Sequence, residues 1–155
     1  MTVAEKLVEL LKAQGLTCAT AESCTGGGVG SAITAVSGSS AVFAGGVISY
    51  SNEVKRDVLG VSALDLQRVG AVSPEVAAQM AAGARRLLKT DLAVSLTGIA
   101  GPDGGSDEKP VGLVWFGLAT KEGVRTERCI FRGDRAKVRE QAVIHALGML
   151  TIGAT

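Results

Sequence analysis

Apolar residues in the first fifteen positions, Val3, Leu7, Leu10 and Leu11, recur every three or four residues among Glu5, Lys6, Glu9 and Lys12, and Gly15 follows them. That period lays one apolar stripe along a helix over 2–14, with the glycine as its left-handed C′ residue. A short β-tolerant run at 17–21 precedes 26–36, which reads as a helix opened by Ser23 or Thr25 as cap. Past the turn formers Ser37, Gly38, Ser39 and Ser40, the segment 42–50 reads as a strand ending in Val47, Ile48, Ser49 and Tyr50. Ser51 or Asn52 then caps a short helix that Gly60 ends, placing Lys55 in its first turn. Ser73, Pro74 and Glu75 make a strong helix start, with Ser73 as N-cap and Pro74 at N1. An apolar strand over 92–96 leads into a long polar loop. Two further runs, 111–119 and 124–131, flank the turn at Lys121, Glu122 and Gly123 and predict an antiparallel hairpin. The final helix starts near Asp134 and carries Val138, Ala142, Val143, Leu147 and Leu150 on its buried side.

Helices therefore alternate with strands up to the hairpin. This order predicts the α/β class: a three-layer α/β/α sandwich whose mixed, mostly parallel sheet carries the hairpin as antiparallel edge strands, formed as one domain over 1–155. The 155 residues are 46% hydrophobic, 20% charged and only 3% aromatic. That composition suits a globular core and leaves too few rings for a base-stacking platform. A net charge of +1 gives no electrostatic reason to expect nucleic acid or a membrane surface as partner. Cys18, Cys24 and Cys129 are too scattered for a disulfide framework or a zinc pair, and no apolar run reaches the roughly 20 residues that span a bilayer. A cytoplasmic protein with reduced thiols is the expectation.

Candidate chemistry gathers in two loops, Thr20 to Lys55 and Thr97 to Gly105, each following an apolar run. The single histidine, His145, falls on the stripe of the last helix with Val138, Ala142 and Met149, a place for core or interface rather than for a Ser-His-Asp triad. One histidine and separated cysteines also leave no metal set beyond the loop carboxylates Asp103, Asp107 and Glu108, so neither metal nor cofactor is expected. A serine activated by lysine remains. The hydroxyl needs a base, and a lysine serves when burial lowers its pKa, which makes Ser39 or Ser40 with Lys55 the candidate pair and Tyr50 a bridge for the proton. The same residues also fit a plain turn followed by a solvated helix start. Gly26, Gly27, Gly28 and Gly30 sit between a strand and a helix, where backbone N–H groups receive phosphate or where glycine permits close packing. Arg135 can hold a phosphate or carboxylate bidentately.

The motifs TAESCTGG, GSSAVFAGGVISYSNEVK, GAVS, TGIAGPDGG, KPVGLVWFG and FRGDR occur in this order between about residues 5 and 150, and in them the chain resembles the CinA C-terminal domain family. The resemblance implies an α/β/α domain, hydrolysis of the carboxamide of nicotinamide mononucleotide in pyridine-nucleotide salvage, and a homodimer or larger homo-oligomer. It further implies Ser40 as nucleophile with Tyr50 and Lys55 as its activating group. Ser23, Thr25, Gly26, Gly27, Ser39, Thr97, Gly98, Ala100 and Gly101 are then ligand-binding positions, and Arg135 is a substrate contact. Many members carry larger residues where Gly28, Ala44 and Gly45 stand, so either a widened pocket or a softer loop carrying Ser40 is expected, as is the stand-alone form without the larger N-terminal domain of longer relatives. A nucleotide-binding module without turnover is the alternative. It would need the glycine loops and Arg135 but not a reactive serine and lysine.

Overall fold

A computed structural model describes residues 1–155. Along the chain run α1 (Val3–Gln14), β1 (Cys18–Glu22), α2 (Gly28–Thr34), a 3-10 turn (Ser39–Ala41), β2 (Phe43–Ile48), α3 (Asn52–Leu59), α4 (Ala63–Arg68), α5 (Pro74–Leu88), β3 (Leu92–Gly98), β4 (Leu113–Thr120), β5 (Gly123–Ile130) and α6 (Arg135–Ala154). Boundaries follow local chemistry. Thr2, Ser51, Ser62, Ser73 and Asp134 each cap a helix by accepting from the backbone N–H three residues on, and Gly15 and Gly60 close α1 and α3 in the left-handed region.

One five-stranded sheet has the order β2-β1-β3-β4-β5. β1 pairs in parallel with β2 and β3, whereas β3 with β4 and β4 with β5 are antiparallel. Four strands thus share one direction and only β4 opposes them, which is the expected mixed sheet. Of the hairpin, only β5 lies at an edge, because β4 pairs on both sides; the opposite edge is β2.

The two-residue period of the strands assigns the side chains to two layers. Cys18, Val94, Leu96, Val114, Phe116 and Leu118 join the larger core under α1, α2 and α6, while Ala19, Ala21 and Ala93 face Leu59, Val61, Val76, Met80 and Ala84 on the α3 and α5 side. Small residues bring α5 close to the sheet: the Ser95 hydroxyl donates to the Ala77 carbonyl at 2.5 Å, and a side chain at Gly117 would collide with that same carbonyl. His145 of α6 is half-buried, with Nε2 at 2.9 Å from Glu127 Oε1 and its ring tilted against Phe116, away from the pocket described below. No helix is long and apolar enough to cross a membrane.

Candidate active site

The three parallel strands end on the same edge of the sheet, and the segments leaving them converge there. Ser23 follows β1, Ser49 and Tyr50 follow β2, and Thr97 and Gly98 close β3. Together with α3, the start of α6 and the Ala71–Val72 stretch before α5, all of these but the buried Ser49 line a cavity of about 290 Å³. Clefts outside the carboxyl ends of parallel strands are the usual ligand sites of open α/β sheets.

At its base lies Lys55, 1% exposed. One turn into α3, its Nζ is 2.7 Å from the Ser49 carbonyl, 3.1 Å from the Tyr50 carbonyl and 3.1 Å from Ser23 Oγ. Burial disfavours the ammonium and lowers its pKa from the usual lysine value to about 8, against a small opposing effect from the Cys24 side. No carboxylate bonds the amine. A neutral amine has two N–H groups and one lone pair. Both carbonyls can only accept, so they take the hydrogens and the lone pair is left for the Ser23 hydroxyl.

Ser23 is fixed by the turn that carries it. Its N–H donates to the Leu96 carbonyl of β3, and the adjacent Glu22 carboxylate, 2% exposed, accepts from Thr25 Oγ1 at 2.6 Å, Val29 N at 2.8 Å and Gly30 N at 3.0 Å. Glu22 therefore does for α2 what its N-cap, Gly27, has no side chain to do. From the other side, Arg139 of α6 donates to the carbonyls of Cys24 and Thr25 at 3.1 and 3.2 Å. The Cys24 thiol borders the cavity, but burial pushes it up to about 11, so it stays protonated at neutral pH. Arg135 lines the mouth, where one N–H donates to the Gly101 carbonyl at 2.8 Å.

A family model, the CinA C-terminal domain, matches residues 1–152. The chain belongs to that family. It is 51% identical over 152 residues to the nicotinamide-nucleotide amidohydrolase PncC of Escherichia coli strain K12, a match covering 97% of this chain and 92% of the relative. It is 53% identical over 144 residues to a CinA-like protein of Acaryochloris marina, a match covering 92% of this chain and 34% of that protein. The chain thus spans about a third of such longer members, as also of a relative from Halothermothrix orenii, of which 33% is covered. Among solved structures, the competence/damage inducible protein CihA of Agrobacterium tumefaciens superposes with a TM-score of 0.95 at 43% identity, covering 98% of this chain and 93% of the other.

Within this CinA domain the expected site residues divide. Ser23, Tyr50, Lys55, Thr97, Gly98, Ala100, Gly101 and Arg135 all line the cavity. Ser40 does not. It lies in the 3-10 turn before β2, whereas Lys55 follows the other end of that strand, and six residues of strand separate their ends by about 20 Å. Within one chain the Ser40–Lys55 pair cannot form, and Ser39, buried in the same turn, falls outside the cavity with it. Thr25, Gly26 and Gly27 also leave the ligand-binding set: Thr25 bonds Glu22, and the two glycines adopt φ of +59° and +104° to make the turn. The helix start behind them is not an anion cradle, since its free N–H groups already go to the Glu22 carboxylate.

Tyr50 holds Lys55 through its main-chain carbonyl; its side chain is 65% exposed at the wall, and its hydroxyl hydrogen-bonds neither Ser23 nor Lys55. Gly28 widens nothing, because it packs on α6, where a side chain would come within 2.9 Å of Val143 Cγ2. Ala44 and Gly45 lie on edge strand β2, away from the cavity. Sequence reasoning overlooked Glu22, Asn52 and Arg139. For Ser23 as partner of Lys55 a signal existed: a serine at the carboxyl end of a strand, in a glycine-rich turn into a helix, is the setting of an exposed nucleophile.

Proposed function

We propose that the chain hydrolyses the carboxamide of nicotinamide mononucleotide to nicotinic acid mononucleotide and ammonia, with Ser23 as nucleophile and Lys55 as its base. The observation that carries this reading is the 3.1 Å approach of a buried, carboxylate-free lysine amine to Ser23 Oγ at the base of a cavity. The Escherichia coli relative, aligned over nearly both full lengths, supports the reaction class.

In the first half-reaction the neutral amine of Lys55 takes the Ser23 proton as Oγ adds to the amide carbon. The resulting oxyanion is received by the backbone N–H of Cys24, which borders the cavity and donates to no backbone carbonyl. Collapse breaks the C–N bond, the ammonium of Lys55 returns its proton to the leaving nitrogen, and ammonia departs. Water then enters, gives a proton to Lys55 and adds to the ester; Ser23 leaves with that proton, and the carboxylic acid product gives up its remaining proton to solvent as the carboxylate. In this reading Arg135 takes the substrate phosphate, which is supported by its one N–H on the Gly101 carbonyl leaving further donors for an anion. A module that only binds nucleotide has no use for a buried amine, free of any carboxylate partner, set beside a hydroxyl.

Ammonia release from nicotinamide mononucleotide tests the assignment. Ser23→Ala is expected to lose on the order of 10³-fold or more in kcat, and Ser40→Ala to keep the wild-type rate. The opposite pattern overturns the reading.

A further inference from the structure

Asn52 lines the cavity together with Ser23 and Lys55, and the reaction derived above gives it no task. It is the first residue of α3, three positions before Lys55, and residues so spaced share one side of a helix. The lysine side chain runs back towards the start of α3: its amine is 3.1 Å from the carbonyl of Tyr50, two residues before Asn52. Lys55 is buried and Asn52 is exposed, so Asn52 stands on the solvent side of the amine, open to a ligand. The other polar side chains nearby are differently committed. The Ser51 hydroxyl caps α3 on Val54 N, and Thr97 gives its hydroxyl hydrogen to the Ala71 carbonyl. Arg135 can only donate and is held at Gly101, and Asp103 follows Gly101 in the same loop at the mouth. An asparagine carries one acceptor oxygen and one N–H2 group, which is also what a primary carboxamide presents.

We propose that Asn52 selects amides: its side-chain oxygen accepts an N–H of the substrate carboxamide and holds the leaving nitrogen beside Lys55. The inference rests on Ser23 and Lys55 opening a primary carboxamide. With one N–H on Asn52 and the oxyanion on the Cys24 N–H, the reacting group is fixed at two points and cannot turn about its bond to the ring. As the tetrahedral intermediate forms, the nitrogen gains a lone pair. Both of its hydrogens stay in place, one on Asn52, and the lone pair is left for the proton that Lys55 returns. An ester offers no hydrogen at that position, and its alkoxy oxygen accepts poorly, so the contact discriminates by the leaving atom.

The experiment gives wild type, Asn52→Ala, Asn52→Leu and Ser23→Ala two substrates, nicotinamide mononucleotide and the methyl ester of nicotinic acid mononucleotide, and measures the common acid product. Removing the acceptor is expected to lower kcat/KM for the amide about 10-fold in both Asn52 variants and to leave that for the ester within about twofold. The amide-to-ester ratio within one protein sample does not depend on the fraction folded, so a variant of lower stability still gives an answer. If wild type does not turn the ester over, its inhibition constant against the amide is read instead and is expected to stay within about twofold in the Asn52 variants. Equal losses on amide and ester, or wild-type amide turnover in both variants, overturn the proposal. Wild type that releases no ammonia, or Ser23→Ala that still does, overturns the reading beneath it. An unchanged ratio in the Asn52 variants beside an inactive Ser23→Ala sinks this inference alone.

Discussion

Lys55 must be neutral to act, so the rate should follow its deprotonation. With a pKa of about 8, the neutral fraction rises from about 0.09 at pH 7 to about 0.9 at pH 9, so kcat/KM for the free enzyme should increase about tenfold and then level off. An ordinary lysine would be only about 3% neutral at pH 9 and its profile would still be climbing at pH 10. The same shift has a thermodynamic face. The unfolded chain binds this proton with the ordinary lysine pKa of 10.5 and the folded one with about 8, so between those values the unfolded state holds more protons and stability rises with pH. Below pH 8 the full penalty is present, about 3 kcal/mol for a shift of this size in a side chain that is 1% exposed. Urea unfolding of wild type and Lys55→Met at intervals from pH 7 to 10.5 isolates it: the wild-type value should gain about 3 kcal/mol on the variant across the window, while Lys55→Met releases no ammonia at any pH. A rate flat from pH 7 to 9, or one still rising at pH 10, together with parallel stability curves, refutes the idea that burial sets this amine's charge.

Two further substitutions probe the frame. Glu22→Gln keeps the shape but weakens the charge-assisted bonds to Thr25 Oγ1, Val29 N and Gly30 N, and thermal unfolding should register a loss of about 1–3 kcal/mol. Gly83→Ala drives a methyl group of α5 into the Leu59 carbonyl at the end of α3; although alanine favours helix, a net loss of about 1–3 kcal/mol and a lower kcat are expected because α3 carries Lys55, and unchanged stability in denaturant would show that the two helices separate freely.

The elements were legible wherever local chemistry decides them. The stripe of Leu7 and Leu11 ended by Gly15, the Ser73–Pro74 start and the hairpin about Gly123 appear nearly as read, because caps, proline and turn residues act over three or four positions. Helix α4 escaped notice: six residues with no buried side chain leave no apolar period to detect. Nearness along the chain and the motif containing it point to Ser40 as nucleophile, but β2 intervenes and carries Tyr50 and Lys55 to its far end. The topology held the better guide. Once strands one, two and three are read as parallel, whatever follows each of them must meet at one edge, and that rule unites Ser23, Lys55 and Thr97. Glu22 and Arg139 stay hidden because, the Thr25 hydroxyl apart, their partners are backbone atoms, and backbone atoms leave no trace in residue identity.

Two of the three atoms that grip the Lys55 amine are peptide oxygens, at Ser49 and Tyr50. Mutation can replace the side chains there without deleting those oxygens, so the proton acceptor keeps its address while the wall beside it drifts. A lineage built on this scaffold is free to retailor residue 50 and its surroundings for amides of other shapes, with the reactive centre inherited intact.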